Sequence, residues 1–119
     1  MHANTVAHVS IMSRLLQLYI PILKKITRMQ EAKRRAYLKD CDRDIIDCFN
    51  ECAKNVLNNN VVLKKSQFDR LKKKKADVRK LAHPRMPLKQ QRRILRQKGV
   101  FVTSLLVPTI TALGSVVAG

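Results

Sequence analysis

At 119 residues the chain has room for one small domain plus tails, and its 25 lysines and arginines against 8 aspartates and glutamates give a formal charge of +17. That balance calls for a negative partner (nucleic acid, an anionic membrane or an acidic protein) without choosing among them. A hydrophobic fraction of 45% excludes a merely disordered basic tail, and an aromatic fraction of 4% with no tryptophan disfavours base-stacking platforms for RNA or single strands.

The charges divide the chain into four zones. Residues 1–23 carry only Arg14 among charged groups and form an apolar leader. With no basic n-region, and with Arg14 interrupting the apolar run, they do not read as a signal peptide. The stretch from Leu15 to Leu23 reads either as a short amphipathic helix bent at Pro21 or as an untidy leader, with Met12 and Met29 as alternative starts.

Residues 24–63 hold two elements. Lys24, Lys25, Arg28, Lys33, Arg34, Arg35 and Lys39 predict a basic helix. The sign then reverses at Asp40, Asp42, Asp44, Asp47 and Glu51. Carboxylates at a helix start suit its dipole, so Asp42 or Asp44 is expected at the N-cap of a core helix. Its stripe is Ile45, Phe49, Cys52 and Val56, flanked by Ile46, Ala53 and Leu57. Asn58-Asn59-Asn60 should end it, because asparagine tolerates the left-handed cap.

In residues 64–98, Ser66 with Asp69 resembles a capping box opening a helix to about Ala82, with Phe68, Leu71, Val78, Leu81 and Ala82 facing inward. The stems of Lys74 and Lys75 would snorkel from that face. Pro84 and Pro87 should stop the helix, and a short further helix is expected from Leu88 to Lys98, ended by Gly99. This zone carries 15 basic residues against Asp69 and Asp77, a net of +13. Its candidate polyanion-binding residues are Lys64, Lys65, Arg70, Lys72, Lys73, Lys74, Lys75, Arg79, Lys80, Arg92, Arg93, Arg96 and Lys98. They would neutralise phosphates and release counterions. No base-reading helix is apparent, so binding without sequence preference is expected. Lys72–Lys75 also match a nuclear localisation signal.

Residues 99–119 contain no charge. At about 19 residues the apolar stretch is just long enough to cross a bilayer as a helix. Three readings stay open: a membrane-inserting segment, a strap on a partner protein, or the last element of the core. Membrane insertion is favoured, through Val100, Phe101, Val102, Leu105, Leu106, Val107, Pro108, Ile110, Leu113, Val116 and Val117. The fold class expected is all-α, three to four short helices around a small core with a loosely attached C-terminal hydrophobic helical tail.

The odd count of clustered cysteines, Cys41, Cys48 and Cys52, points to a reducing compartment. Zinc on these with His83 is disfavoured, since there is no C-x-x-C pair and Cys52 lies within the apolar stripe. Catalysis has no foothold: no glycine-rich phosphate loop, no nucleophile elbow and no paired carboxylates. The expectation is therefore a non-enzymatic protein with no cofactor and no small-molecule substrate.

The order of Asp44–Leu57, Ser66–Leu71 with the lysine run, and Lys89-Gln90-Gln91-Arg92-Arg93-Ile94-Leu95-Arg96-Gln97-Lys98-Gly99-Val100-Phe101 before the tail resembles the small basic proteins of Polinton (Maverick) elements and adintoviruses. Those are compared with the adenovirus core-peptide precursor. The resemblance covers residues 25–119. It departs at Val100, where the family usually has a second glycine, and at Thr103, Thr109 and Thr111, where the family's tail is rich in Leu, Ala and Pro. It implies a minor virion component that condenses packaged double-stranded DNA, with capsid proteins and an anionic membrane as further partners and the virion and host nucleus as its setting. It equally allows a genomic relic of the viral gene. Outside the resemblance, the residues also fit an intracellular RNA- or chromatin-associated binding module, most naturally nuclear.

Overall fold

The computed structural model describes residues 14–83, 85–97 and 101–118, with 114–118 as backbone only. Among these residues it is all-helical, with seven helices: α1 (Arg14–Arg28), α2 (Glu31–Lys39), α3 (Arg43–Leu57), α4 (Lys65–Lys73), α5 (Lys75–Ala82), α6 (Leu88–Leu95) and α7 (Phe101–Ala118). The expected class holds, but the expectation of three to four helices and an appended tail does not.

The centre is built on α3 and α7. In α3, Ile45, Ile46, Cys48, Phe49, Cys52, Ala53 and Asn55 are all buried. A helix enclosed on so much of its circumference needs several neighbours, and α5, α7, α1 and α6 all pack on it. Helix α7 lies against α1, α3 and α4. Phe101, Val102, Leu105, Leu106 and Leu113 are buried in the same core as Phe49 and Leu81. Its Val, Ile and Thr content and the internal Pro108 make it an indifferent helix former, so tertiary burial holds it helical. The Cα radius of gyration, 13.5 Å, matches the roughly 13 Å of a packed chain near this size, with no helix standing off the body.

The leader is also structural. Leu16, Leu23 and Ile26 are fully buried, on one stripe of α1, while Pro21 within the helix faces solvent. Solvent exposure at Pro21 lets water serve the carbonyl its missing N–H leaves free. A chain begun at Met29 would lack all three core residues. The Tyr19 hydroxyl donates to Asp44 Oδ2 at 2.9 Å, fastening α1 to the start of α3. Asp44 is therefore an inter-helix acceptor. Asp42 occupies the N-cap position, with extended backbone angles but no side-chain cap bond.

The single basic helix expected over 24–39 is two, broken at Met29-Gln30, whose Met29 carbonyl accepts from the buried Arg34 Nη1 at 3.3 Å. The asparagine stop behaves as expected. Asn59 adopts φ 58°, Asn60 N–H donates to Asn55 O at 2.9 Å and Asn59 N–H to Val56 O at 3.2 Å. This pair of bonds is a Schellman motif with asparagine at the left-handed position.

The Ser66–Asp69 capping box does not form. The N-cap is Lys64, two residues earlier, and the Gln67 side chain accepts the Lys64 N–H at 2.9 Å. The helix expected from there to Ala82 breaks at Lys74 (φ −108°), within the run of four consecutive lysines. Leu71, Val78 and Leu81 are buried as expected, but Phe68 is 51% exposed and Val56 and Leu57 are only half-buried. Helix α6 ends at Leu95 rather than Lys98.

Candidate polyanion-binding surface

Helices α4 and α5 touch each other, and α5 in turn touches α6, so the most basic part of the sequence is contiguous in space. Lys64, Lys65, Arg70, Lys72, Lys73, Lys74, Lys75, Arg79 and Lys80 are all exposed, and so is Arg93 on α6. Lys72 and Lys75, three positions apart on either side of Lys74, line one groove with Val56, Leu57, Leu63 and Phe68. The Lys72 ammonium also stands 6.0 Å from the Phe68 ring centroid, a cation–π distance.

Two expected contacts play another part. Arg92 and Arg96 are half-buried at the seam between α2 and α6. Arg92 Nη2 donates to Cys41 O at 2.6 Å, and Arg35 Nε donates to Arg96 O at 2.9 Å. The Nε atoms of Arg92 and Arg96 are buried without a partner, so both guanidiniums are partly withdrawn from solvent and less open to phosphate than the exposed lysines. Lys98 lies outside the described residues. Exposed bases left off the sequence-derived set include Arg85 and Lys89 beside α6, and Lys33, Arg35 and Lys39 on α2, which packs on α6. Spacing along the chain could not reveal that α2 and α6 meet.

The zone's two carboxylates differ. Asp69 is exposed, whereas Asp77 Oδ2 accepts from Gln97 Nε2 at 2.6 Å, tying the end of α6 to α5. Asn50 Nδ2 donates to Leu81 O at 2.6 Å and fixes α5 against α3. The basic face is thus mounted on a braced scaffold rather than on loose chain.

The residues assigned to membrane insertion lie elsewhere. Phe101, Val102, Leu105, Leu106, Pro108 and Leu113 are buried, Ile110 is half-buried and Val107 is 36% exposed. Val100 and the side chains of Val116 and Val117 lie outside the described residues. Among the described residues no helix is long and apolar enough to cross a membrane. The loosely attached tail is corrected to a core helix, because its apolar surface is already spent on α1, α3 and α4.

The cysteines are buried free thiols, and His83 is exposed, its Nδ1 accepting the Arg85 N–H at 3.2 Å. Among the described residues no group of three or more His, Cys, Asp or Glu could hold a metal ion. Burial pushes the Cys52 thiol up to about 12, opposed in part by the neighbouring Thr109 hydroxyl. Burial first, then the nearby Cys52 and acidic groups, pushes Cys48 up to about 12. Thiols held neutral in this way are poor nucleophiles.

Fold and surface together define an all-helical protein with a contiguous, braced basic face. No family model, curated protein or solved structure matches the chain.

Proposed function

We propose that this protein is a non-enzymatic binder of double-stranded DNA that acts through phosphate neutralisation without sequence preference. The observation carrying the reading is that every basic residue from Lys64 to Lys80 is exposed, on two touching helices and at Lys64 and Lys74 that precede and join them, with Asp69 the one exposed carboxylate among them. A merely solvated charged face would ordinarily be interleaved with acidic side chains; this one repels itself until a polyanion arrives. Duplex DNA is favoured over single strands because Phe68 is the lone aromatic in this zone and already carries Lys72 over its ring.

The virion is the setting in which we place this activity, on the strength of the resemblance to Polinton and adintovirus basic proteins, with DNA condensation as the role and capsid proteins as neighbours. Membrane insertion through α7 is not part of the proposal. Phe101, Leu105 and Leu106 are already buried in the core, and withdrawing them would bare the faces of α1, α3 and α4 that pack on α7.

The test is fluorescence anisotropy of the full chain with two unrelated duplexes across a salt series. Affinity should fall with a log–log slope steeper than about −4, and the two duplexes should agree within about threefold. A salt-independent interaction, or a strong preference for one duplex, overturns the reading.

A further inference from the structure

One surface feature is not explained by DNA binding. Between the C-terminal end of α3, the 58–64 linker, α4 and α5 runs a groove of about 220 Å³ lined by Val56, Leu57, Leu63, Phe68, Leu71 and Val78, with Asn59, Lys72 and Lys75 also at its walls. Six apolar side chains make a floor on which phosphate gains nothing. Phe68 is 51% exposed beside it, and Val62, next to Leu63 in the chain, is 91% exposed. Asn59, at φ 58°, begins the linker and stands at one wall of the groove.

We propose that this groove docks an acidic amphipathic helical segment of a partner protein. One or two apolar side chains would sit between Phe68 and Val78, and flanking carboxylates would meet Lys72 and Lys75. Charge complementarity selects the occupant: the groove's only ionisable lining groups are those two lysines. A second copy of a chain carrying +17 is repelled from it. The volume is below the roughly 300 Å³ at which small-molecule sites begin, yet it suits the anchor residues of a helix-in-groove contact. A nucleobase would use the one aromatic face and leave the aliphatic floor uncovered.

The probe is a fluorescein-labelled peptide of about 15 residues with leucines at i, i+3, i+4 and i+7 and glutamates elsewhere, titrated with the full chain in physiological salt. Its control carries serine in place of every leucine at the same charge. The leucine peptide should bind at least about tenfold tighter than the control. Phe68→Ala and Leu63→Gln should each weaken it by about fivefold or more while thermal melts stay cooperative. Both variants should keep duplex DNA affinity, which separates this inference from the DNA reading; loss of DNA binding by the parent chain would leave the peptide result standing.

Three results overturn the proposal. The serine control binds within about threefold of the leucine peptide, or neither substitution weakens the leucine peptide, or Phe68→Ala weakens a single-stranded oligothymidine but not the peptide. The last outcome would assign the groove to nucleic acid.

Discussion

Arg92 Nη2 donates to the carbonyl oxygen of Cys41 at 2.6 Å, across 51 positions of sequence. The bond joins α6 to the turn between α2 and α3, and turns a residue of the densest basic cluster into a structural staple. Its neighbour Arg93 is exposed. Adjacent arginines on one helix thus divide between holding the fold and facing solvent.

That division gives a paired prediction. Arg92→Ala leaves a half-buried carbonyl without its charged donor and should cost about 1–3 kcal/mol. Arg93→Ala should leave stability within about 0.5 kcal/mol and, if the DNA reading holds, lower the salt slope by about 1. Thermal melts and salt-dependent anisotropy on the two variants check both halves. Equal effects on stability would show that the staple contributes nothing.

A second prediction concerns α7. Leu105 is fully buried against the central helices, so Leu105→Ala should cost about 2–5 kcal/mol in urea denaturation. Val107, 36% exposed on the same helix, should tolerate alanine at well under half that cost. Deleting residues 101–118 should abolish cooperative unfolding. A tail merely appended to the body would predict no loss in either experiment.

The contrast between α3 and α7 shows what can be read from sequence here. The stripe Ile45, Phe49 and Cys52 was legible because carboxylates and Lys54 mark the solvent side of the same helix. Its asparagine stop was legible because the left-handed cap is a local, residue-specific requirement. Segment 101–118 carries no charge to mark an outside, so its apolar pattern fits a core and a bilayer equally well. Only the presence of α1, α3 and α4 around it decides. The basic face was legible as composition, whereas the diversion of Arg92 and Arg96 into the α2–α6 seam depends on contacts more than 50 positions apart. The groove beside Phe68 was invisible for a related reason: the helical period places Phe68 inward, whereas it is 51% exposed and its neighbours Val56, Leu57 and Leu63 come from another helix and the linker.

The buried thiols make the fold alkali-sensitive. Cys48 and Cys52 are both pushed up to about 12 by burial in the folded state, against about 8.5 for an unfolded thiol. Below that lower value both states hold the protons and stability is indifferent to these groups. Between about 8.5 and 12 the unfolded chain loses protons that the folded chain retains, so stability falls by up to about 1.4 kcal/mol per pH unit for each thiol. Urea midpoints should therefore decline above pH 9 in the parent and less steeply in Cys52→Ala. The same burial predicts slow labelling by a thiol reagent at neutral pH, rising to three modified cysteines only on unfolding.

Asn59 supplies the final prediction because its backbone conformation, rather than burial, sets which residues the position accepts. Its φ of 58° lies in the left-handed region, where a Cβ costs roughly 1–2 kcal/mol and glycine costs nothing sterically. The position closes the Schellman motif and stands at one wall of the groove. Asn59→Gly should be neutral or mildly stabilising, while Asn59→Val should lose about 1–2 kcal/mol because a β-branched residue resists that φ. If valine were tolerated as well as glycine in thermal melts, the left-handed stop would not be what ends α3. Asn59→Val also reports on the groove: an altered linker path should weaken the leucine-striped peptide while duplex affinity, set by lysines on α4 and α5, stays unchanged.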